Sequence, residues 1–220
     1  MTKTADPVRG QANLEIARSN PASLYDEAYY STGYSAGNDA AYGRQEPWLS
    51  FFGNISRKIK RRFRPKTAVD AGCGYGLLVE ALNDQGIDSY GIDISTFAVS
   101  NAREDMRQRI KLGSVTDPIP LLDGKKYDIA ICIEVLEHLP PEQAKVAIGN
   151  LCDASDRVVF SSTPDDFDEP THFNVLPVDA WVQFFSENGL YLAQNPRAKF
   201  ISDQAFVVER RKPRRGIFNF

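Results

Sequence analysis

Four side chains in the second half of the chain have the types and spacing to handle a proton or a divalent cation. Glu134, Glu137 and His138 stand at i, i+3 and i+4, so one helical turn would set all three on a single face. His172 follows in the turn-rich run SSTPDDFDEPTHFN, and these are the only 2 histidines of the chain. An imidazole titrates near neutrality and can act as general base toward a hydroxyl. A metal site is the second reading. Two carboxylates would neutralise a 2+ ion and two imidazoles would complete part of its shell, a mixed O/N set that suits Mn, Fe or Zn better than a pure Mg cage. The third reading is structural: His138 packs the turn before Pro140 and Pro141, and His172 bonds within its loop.

A second constellation lies upstream, in VDAGCGYGLL from Val69 to Leu78. An apolar run ends at Asp70, glycines follow at 72, 74 and 76, and an amphipathic segment begins at once. Glycines let the backbone turn sharply and approach a ligand, and the helix start offers unpaired N–H groups to a polar or anionic group. Taken alone, such a turn is shared by many nucleotide binders. About twenty residues on, a further apolar run ends in Asp93, where α/β nucleotide folds place the acid that accepts from ribose hydroxyls.

These groups must be carried by a parallel sheet. From Thr67 short β-branched runs alternate with helical segments, the pattern of crossover-connected strands. Strands are expected near 67–70, 89–93, 110–113, 127–133 and 157–161, with helices near 77–85, 96–107, 141–151 and 178–188. Runs 190–193 and 204–209 are expected as a closing antiparallel pair, because no helix long enough for a crossover joins them. In such sheets ligands meet beyond the carboxyl ends of the strands, which is where the Glu/His group would lie.

Four segments, VDAGCGYG, YGIDIS, GSVTD and YDIAICIEVLEHLPPE, resemble successive motifs of the class I S-adenosylmethionine-dependent methyltransferases over roughly residues 65 to 165. The resemblance implies a Rossmann-like α/β fold: a seven-stranded, mostly parallel sheet with helices on both faces and an antiparallel closing strand. It implies that Asp70, Gly72, Cys73, Gly74 and Gly76 hold the methionine part of S-adenosylmethionine, Asp93 and Ile94 the ribose, and Ser114 and Val115 the adenine. Many relatives have an Asp where this chain has Ser114, and Asp117 is the candidate substitute. An N-terminal segment often closes over the cofactor in that family, which makes Tyr30 a candidate contact. The spacing E-x-x-E-H with a lone later histidine also resembles the metal-binding pattern of small-RNA 2′-O-methyltransferases and ubiquinone-pathway O-methyltransferases. That likeness implies a joint cation site on Glu134, Glu137, His138 and His172.

The implied activity is methyl transfer to an oxygen of a small molecule or a sugar, since FSSTPDDFDEPTHFNVLP resembles methyltransferases of polysaccharide and glycoconjugate assembly. An N-methyltransferase, an RNA 2′-O-methyltransferase and a non-catalytic cofactor-binding regulator are the alternatives. A net charge of -3 and a pI near 5.5 give no field drawing in polyanions, so nucleic acid is not an expected partner in spite of the basic run ERRKPRR. No apolar stretch is long enough for a membrane span and no basic leader opens the chain, so a cytoplasmic protein with reduced Cys73, Cys132 and Cys152 is expected. The expected organisation is a mobile arm over 1–22, a tyrosine-rich lid and helix over 23–62, the methyltransferase domain over 63–212, and a tail over 213–220.

Overall fold

The computed structural model describes residues 7–31 and 41–211. The tail, the first residues of the arm and Tyr34 of the tyrosine-rich segment lie outside them. Seven strands, β1 (Thr67–Ala71), β2 (Asp88–Asp93), β3 (Ile110–Leu112), β4 (Ile129–Ile133), β5 (Arg157–Ser161), β6 (Leu190–Arg197) and β7 (Phe206–Arg210), form one sheet in the order β3-β2-β1-β4-β5-β7-β6. The first five run parallel. β7 pairs antiparallel with both β5 and β6. Residues 198–205 between β6 and β7 hold no helix, so β7 can only return beside its predecessor. The expected fold class, seven mostly parallel strands with an antiparallel closure, is the observed one.

Burial of both sheet faces explains why the strands read as near-continuous apolar runs. Side chains alternate between faces along each strand. Val69, Ala130, Cys132, Val158, Phe160 and Val208 face α6 (Pro141–Ala154) and α7 (Val178–Glu187), where Ile148, Leu151, Trp181 and Phe185 are buried. Ala68, Ile129, Ile131, Val159 and Val207 face the other way, toward α3 (Trp48–Phe63) and α4 (Leu77–Asp84). In α3, Trp48, Phe52, Ile55 and Ile59 share one stripe, and full burial of an isoleucine there stabilises by roughly 1.5–3 kcal/mol.

Two expectations need correction. Residues 7–22, read from the sequence as lacking a periodic element, form α1 (Pro7–Ser19) and the start of a 3-10 turn (Pro21–Leu24). Contacts from far along the chain hold this stretch to the body: Asn13 donates to the Pro170 carbonyl at 3.1 Å and Arg18 pairs with Glu142 at 3.0 Å. The single helix expected over 96–107 is instead α5 (Thr96–Ser100) and a 3-10 turn (Glu104–Arg109). Arg103 breaks it by going extended, with its guanidinium 2.8 Å from Glu80 and 2.6 Å from Asp105. Among the described residues no helix is long and apolar enough to cross a membrane.

Strand register fixes what reaches the upper rim. Asp70 lies beside Gly91 and Ile131, and Ala71 beside Ile92, so β1, β2 and β4 end at one level. The glycine turn, Asp93 and Glu134 are therefore neighbours. Over them lies α2 (Glu27–Ser31), which brings Tyr29 and Tyr30.

Candidate active site

A cavity of about 610 Å³ opens at this rim, running from Asp93 and Ser114 past the glycine turn to His138, His172 and Gln204. Its floor is the turn after β1. Gly72 and Gly74 both line the cavity and both have positive φ, +79° and +53°. A Cβ on Gly72 would stand 2.4 Å from Val135 Cγ2, and one on Gly74 would stand 3.0 Å from the Tyr42 ring. Only glycine fits. Gly76 also has positive φ, yet it does not line the cavity, and its Cβ would meet Ile110 Cδ1 at 2.2 Å. The missing Cβ there permits close helix–strand packing.

Asp93 is tied into the turn by backbone donors. Its Oδ2 accepts from the Gly74 N–H at 2.7 Å and its Oδ1 from the Ser95 N–H at 2.8 Å. Burial raises its carboxyl pKa, and those backbone donors oppose the rise. Ser95, whose side chain caps α5 by accepting from Ala98, also donates to the Tyr25 carbonyl at 2.5 Å and so joins β2 to the aromatic roof. The neighbouring Asp70 is buried, and lost hydration together with the Asp93 charge pushes it up to about 8. Cys73, Ile94, Ser114 and Val115 line the cavity as expected. Asp117 is exposed and not among the lining residues, and the Ser114 hydroxyl is 2.7 Å from that of Thr116.

The roof is aromatic. Tyr30 packs on Tyr75 with ring centroids 5.0 Å apart and on Phe97 at 6.0 Å, and burial followed by the Asp93 charge holds its hydroxyl well above the usual phenol range. Tyr42, against Gly74, and Tyr25 and Tyr29, edge-on to His138, were not singled out by the sequence. Their only signal was membership of the tyrosine-rich run.

At the far end the 3-10 turn Leu136–His138 follows β4. It and the loop after β5 place Glu137, His138 and His172 so that one ligand atom of each lies within 4.8 Å of the others. The rings of His138 and His172 are 4.6 Å apart. Carbonyl oxygens fix both tautomers. His138 Nδ1 is 3.2 Å from the Thr171 carbonyl and His172 Nδ1 is 2.7 Å from that of Asp166, so each Nδ1 carries a proton, and in a neutral ring Nε2 then keeps its lone pair. Burial, then the nearby His172, pushes His138 down to about 3, so it is neutral. Glu137 is fully buried; its Oε1 accepts from the Thr163 N–H at 3.3 Å, while no donor reaches Oε2. Burial and the adjacent Glu134 carboxyl hold the Glu137 pKa well above the usual range.

Glu134 departs from expectation. Its backbone is left-handed, φ +52°, and its carboxylate accepts from the Ser161 hydroxyl and, at 3.5 Å, from Gln204 Nε2. It is outside the ligand group that the two histidines join. Sequence reasoning overlooked Glu169, which is buried, with Oε2 at 3.2 Å from His172 Nε2. Its i, i+3 spacing to His172 was the available signal.

Comparison with known proteins agrees with this geometry. Residues 69–151 match a methyltransferase domain family. Magnesium-protoporphyrin O-methyltransferase of Synechocystis is 37% identical over 122 residues, 53% of this chain and 49% of that protein. Ubiquinone biosynthesis O-methyltransferase of Methylococcus capsulatus is 34% identical over 106 residues, 44% and 43% of the two chains. The chain thus spans about half the length of the curated relatives it matches. Among solved structures, the Synechocystis magnesium protoporphyrin IX methyltransferase with bound S-adenosylmethionine superposes with a TM-score of 0.58 at 19% identity, covering 96% of this chain and 100% of the other. At that identity the likeness speaks to the fold.

Proposed function

We propose that the chain carries a class I S-adenosylmethionine-dependent methyltransferase domain and transfers the methyl group of S-adenosylmethionine to an oxygen of a small molecule or a sugar. The observation that carries this reading is the cavity itself, which joins a glycine cradle and Asp93 at one end to a carboxylate–imidazole cluster at the other. The cradle fits the cofactor. Gly72 and Gly74 leave room that any Cβ would fill, Asp93 offers acceptors to the ribose hydroxyls, and Asp70 places a titratable acid where a cationic amino-acid moiety is held. Ile94, Ser114 and Val115 would hold the adenine, and Cys73 the methionine part, since all four line the cavity. S-adenosylmethionine supplies a methyl group on a sulfonium, open to in-line displacement.

The chain's own task is to align the acceptor, exclude water and take up a proton. Tyr25, Tyr29, Tyr30 and Tyr42 close the roof and keep water from the sulfonium. As a base, a His138 whose pKa lies near 3 would be weak at neutral pH. A neutral imidazole with its Nε2 lone pair free is what a metal ligand must be. Glu137, His138 and His172 therefore fit a divalent cation, whose Lewis acidity would lower the pKa of a bound acceptor hydroxyl. Both relatives named above are O-methyltransferases, which favours oxygen over nitrogen. The test is calorimetric titration with S-adenosylmethionine and S-adenosylhomocysteine, followed by a homocysteine-release assay over catechols, sugars and short RNA. Binding with turnover on hydroxylated small molecules supports the reading; binding without turnover on any acceptor favours a regulator.

A further inference from the structure

Resting on the cation reading above, we propose that Glu169, and not Glu134, is the second carboxylate of the metal site and completes it with Glu137, His138 and His172. His172 belongs to two ligand groups at once: one with Glu137 and His138, the other with Asp166 and Glu169, each with its ligand atoms within 4.8 Å of one another. Glu169 Oε2 lies 3.2 Å from His172 Nε2, the ring nitrogen not engaged by the Asp166 carbonyl. A neutral imidazole nitrogen and a carboxylate oxygen both present lone pairs. A cation between them satisfies both.

The surroundings of Glu169 are those of a metal carboxylate. It is 7% exposed, so its charge needs a partner. Thr171 Oγ1 donates to its Oε1 at 2.5 Å while accepting from His138 Nδ1 at 3.0 Å, so one hydroxyl fixes the carboxylate and an imidazole together. The Tyr29 hydroxyl gives a further hydrogen bond to Glu169 from the roof. Outer partners of this kind set the orientation of metal ligands. Glu137 Oε2, buried and reached by no donor, points to a missing positive partner in the same group. Two carboxylates balance the 2+ charge without Glu134, which bonds to Ser161, to Gln204 and to the Glu137 carboxyl, outside the group of ligand atoms that His138 and His172 join.

Titrating wild type, Glu169→Gln and Glu134→Gln with Mn(II), with free ion counted by electron paramagnetic resonance, separates the possibilities. Glu169→Gln is expected to bind at least about tenfold more weakly, while Glu134→Gln follows wild type. Binding of S-adenosylhomocysteine by each variant checks that the fold is intact; if Glu169→Gln fails to fold, Glu169→Asp, which keeps the charge but draws it back, is expected to weaken Mn(II) in the same way. Wild-type-like binding by the folded Glu169 variant would overturn the assignment, as would an equal loss in Glu134→Gln. Wild type that takes up neither Mn(II) nor Zn(II) would instead remove the cation reading itself, and this assignment with it.

Discussion

The Gly74 N–H donates to Asp93 Oδ2 at 2.7 Å, so the turn after β1 and the acid at the end of β2 form one rigid unit. Asp93→Ala removes both the ribose acceptor and this tie, and S-adenosylhomocysteine binding should weaken by at least about 1.5–3 kcal/mol, the range for a hydrogen bond to a charged group. Asp93→Asn keeps one acceptor oxygen and should lose less. Calorimetry on the two variants measures the difference, and unchanged affinity in Asp93→Ala would reject the ribose assignment.

Three glycines separate binding from packing. Gly74→Ala should fold with a displaced Tyr42 and bind cofactor poorly, since its Cβ meets the movable edge of that ring at 3.0 Å. Gly76→Ala puts a Cβ 2.2 Å from Ile110 in left-handed backbone, at a position that does not line the cavity. It should cost about 1–3 kcal/mol of stability, the usual cost of overpacking, with little loss of affinity in the molecules that remain folded. Denaturant melts and titrations on both variants would expose a misplaced turn if the two outcomes were exchanged.

Asp70 gives a pH signature. Its pKa rises from the ordinary 3.8 to about 8 in the fold, so the folded chain binds more protons than the unfolded one between those values. The stability this group contributes is full below its unfolded pKa and lost as pH rises through about 8. A cationic cofactor favours the ionised acid, so binding near pH 7 should release up to about one proton. Calorimetric titrations in two buffers of different protonation enthalpy count it, and Asp70→Asn should abolish the release. Buffer-independent heats in wild type would contradict this.

Chelation distinguishes the ends of the cavity. With EDTA, turnover should vanish while S-adenosylhomocysteine affinity stays nearly intact, and Mn(II) or Zn(II) should restore activity. His138→Ala and His172→Ala should each behave like the chelated protein. Full turnover at nil metal content would return both histidines to structural or base roles.

Much of this was legible in the sequence, for identifiable reasons. Parallel strands buried on both faces announce themselves as apolar runs, and β5 was placed to the residue. The glycine turn and Asp93 were legible because backbone geometry leaves few residue types able to occupy those positions. α1 was not, since its apolar residues keep no single face and Asn13 and Arg18 find partners only on Pro170 and Glu142. Nor was the proposed exchange of Glu134 for Glu169 at the rim. It depends on the left-handed backbone at Glu134 and on Ser161 arriving from the next strand, neither of which i, i+3 spacing can reveal.

Transfer of an isotopically labelled methyl group from S-adenosylmethionine is the most direct test of the whole account. The protein is incubated with labelled cofactor, Mn(II) and a panel of vicinal-diol acceptors, catechols and hexoses among them, and the products are analysed by mass spectrometry and carbon NMR. The account predicts label on an acceptor oxygen, with S-adenosylhomocysteine formed in equal amount. Label on nitrogen, or cofactor bound with no label leaving it, would contradict it.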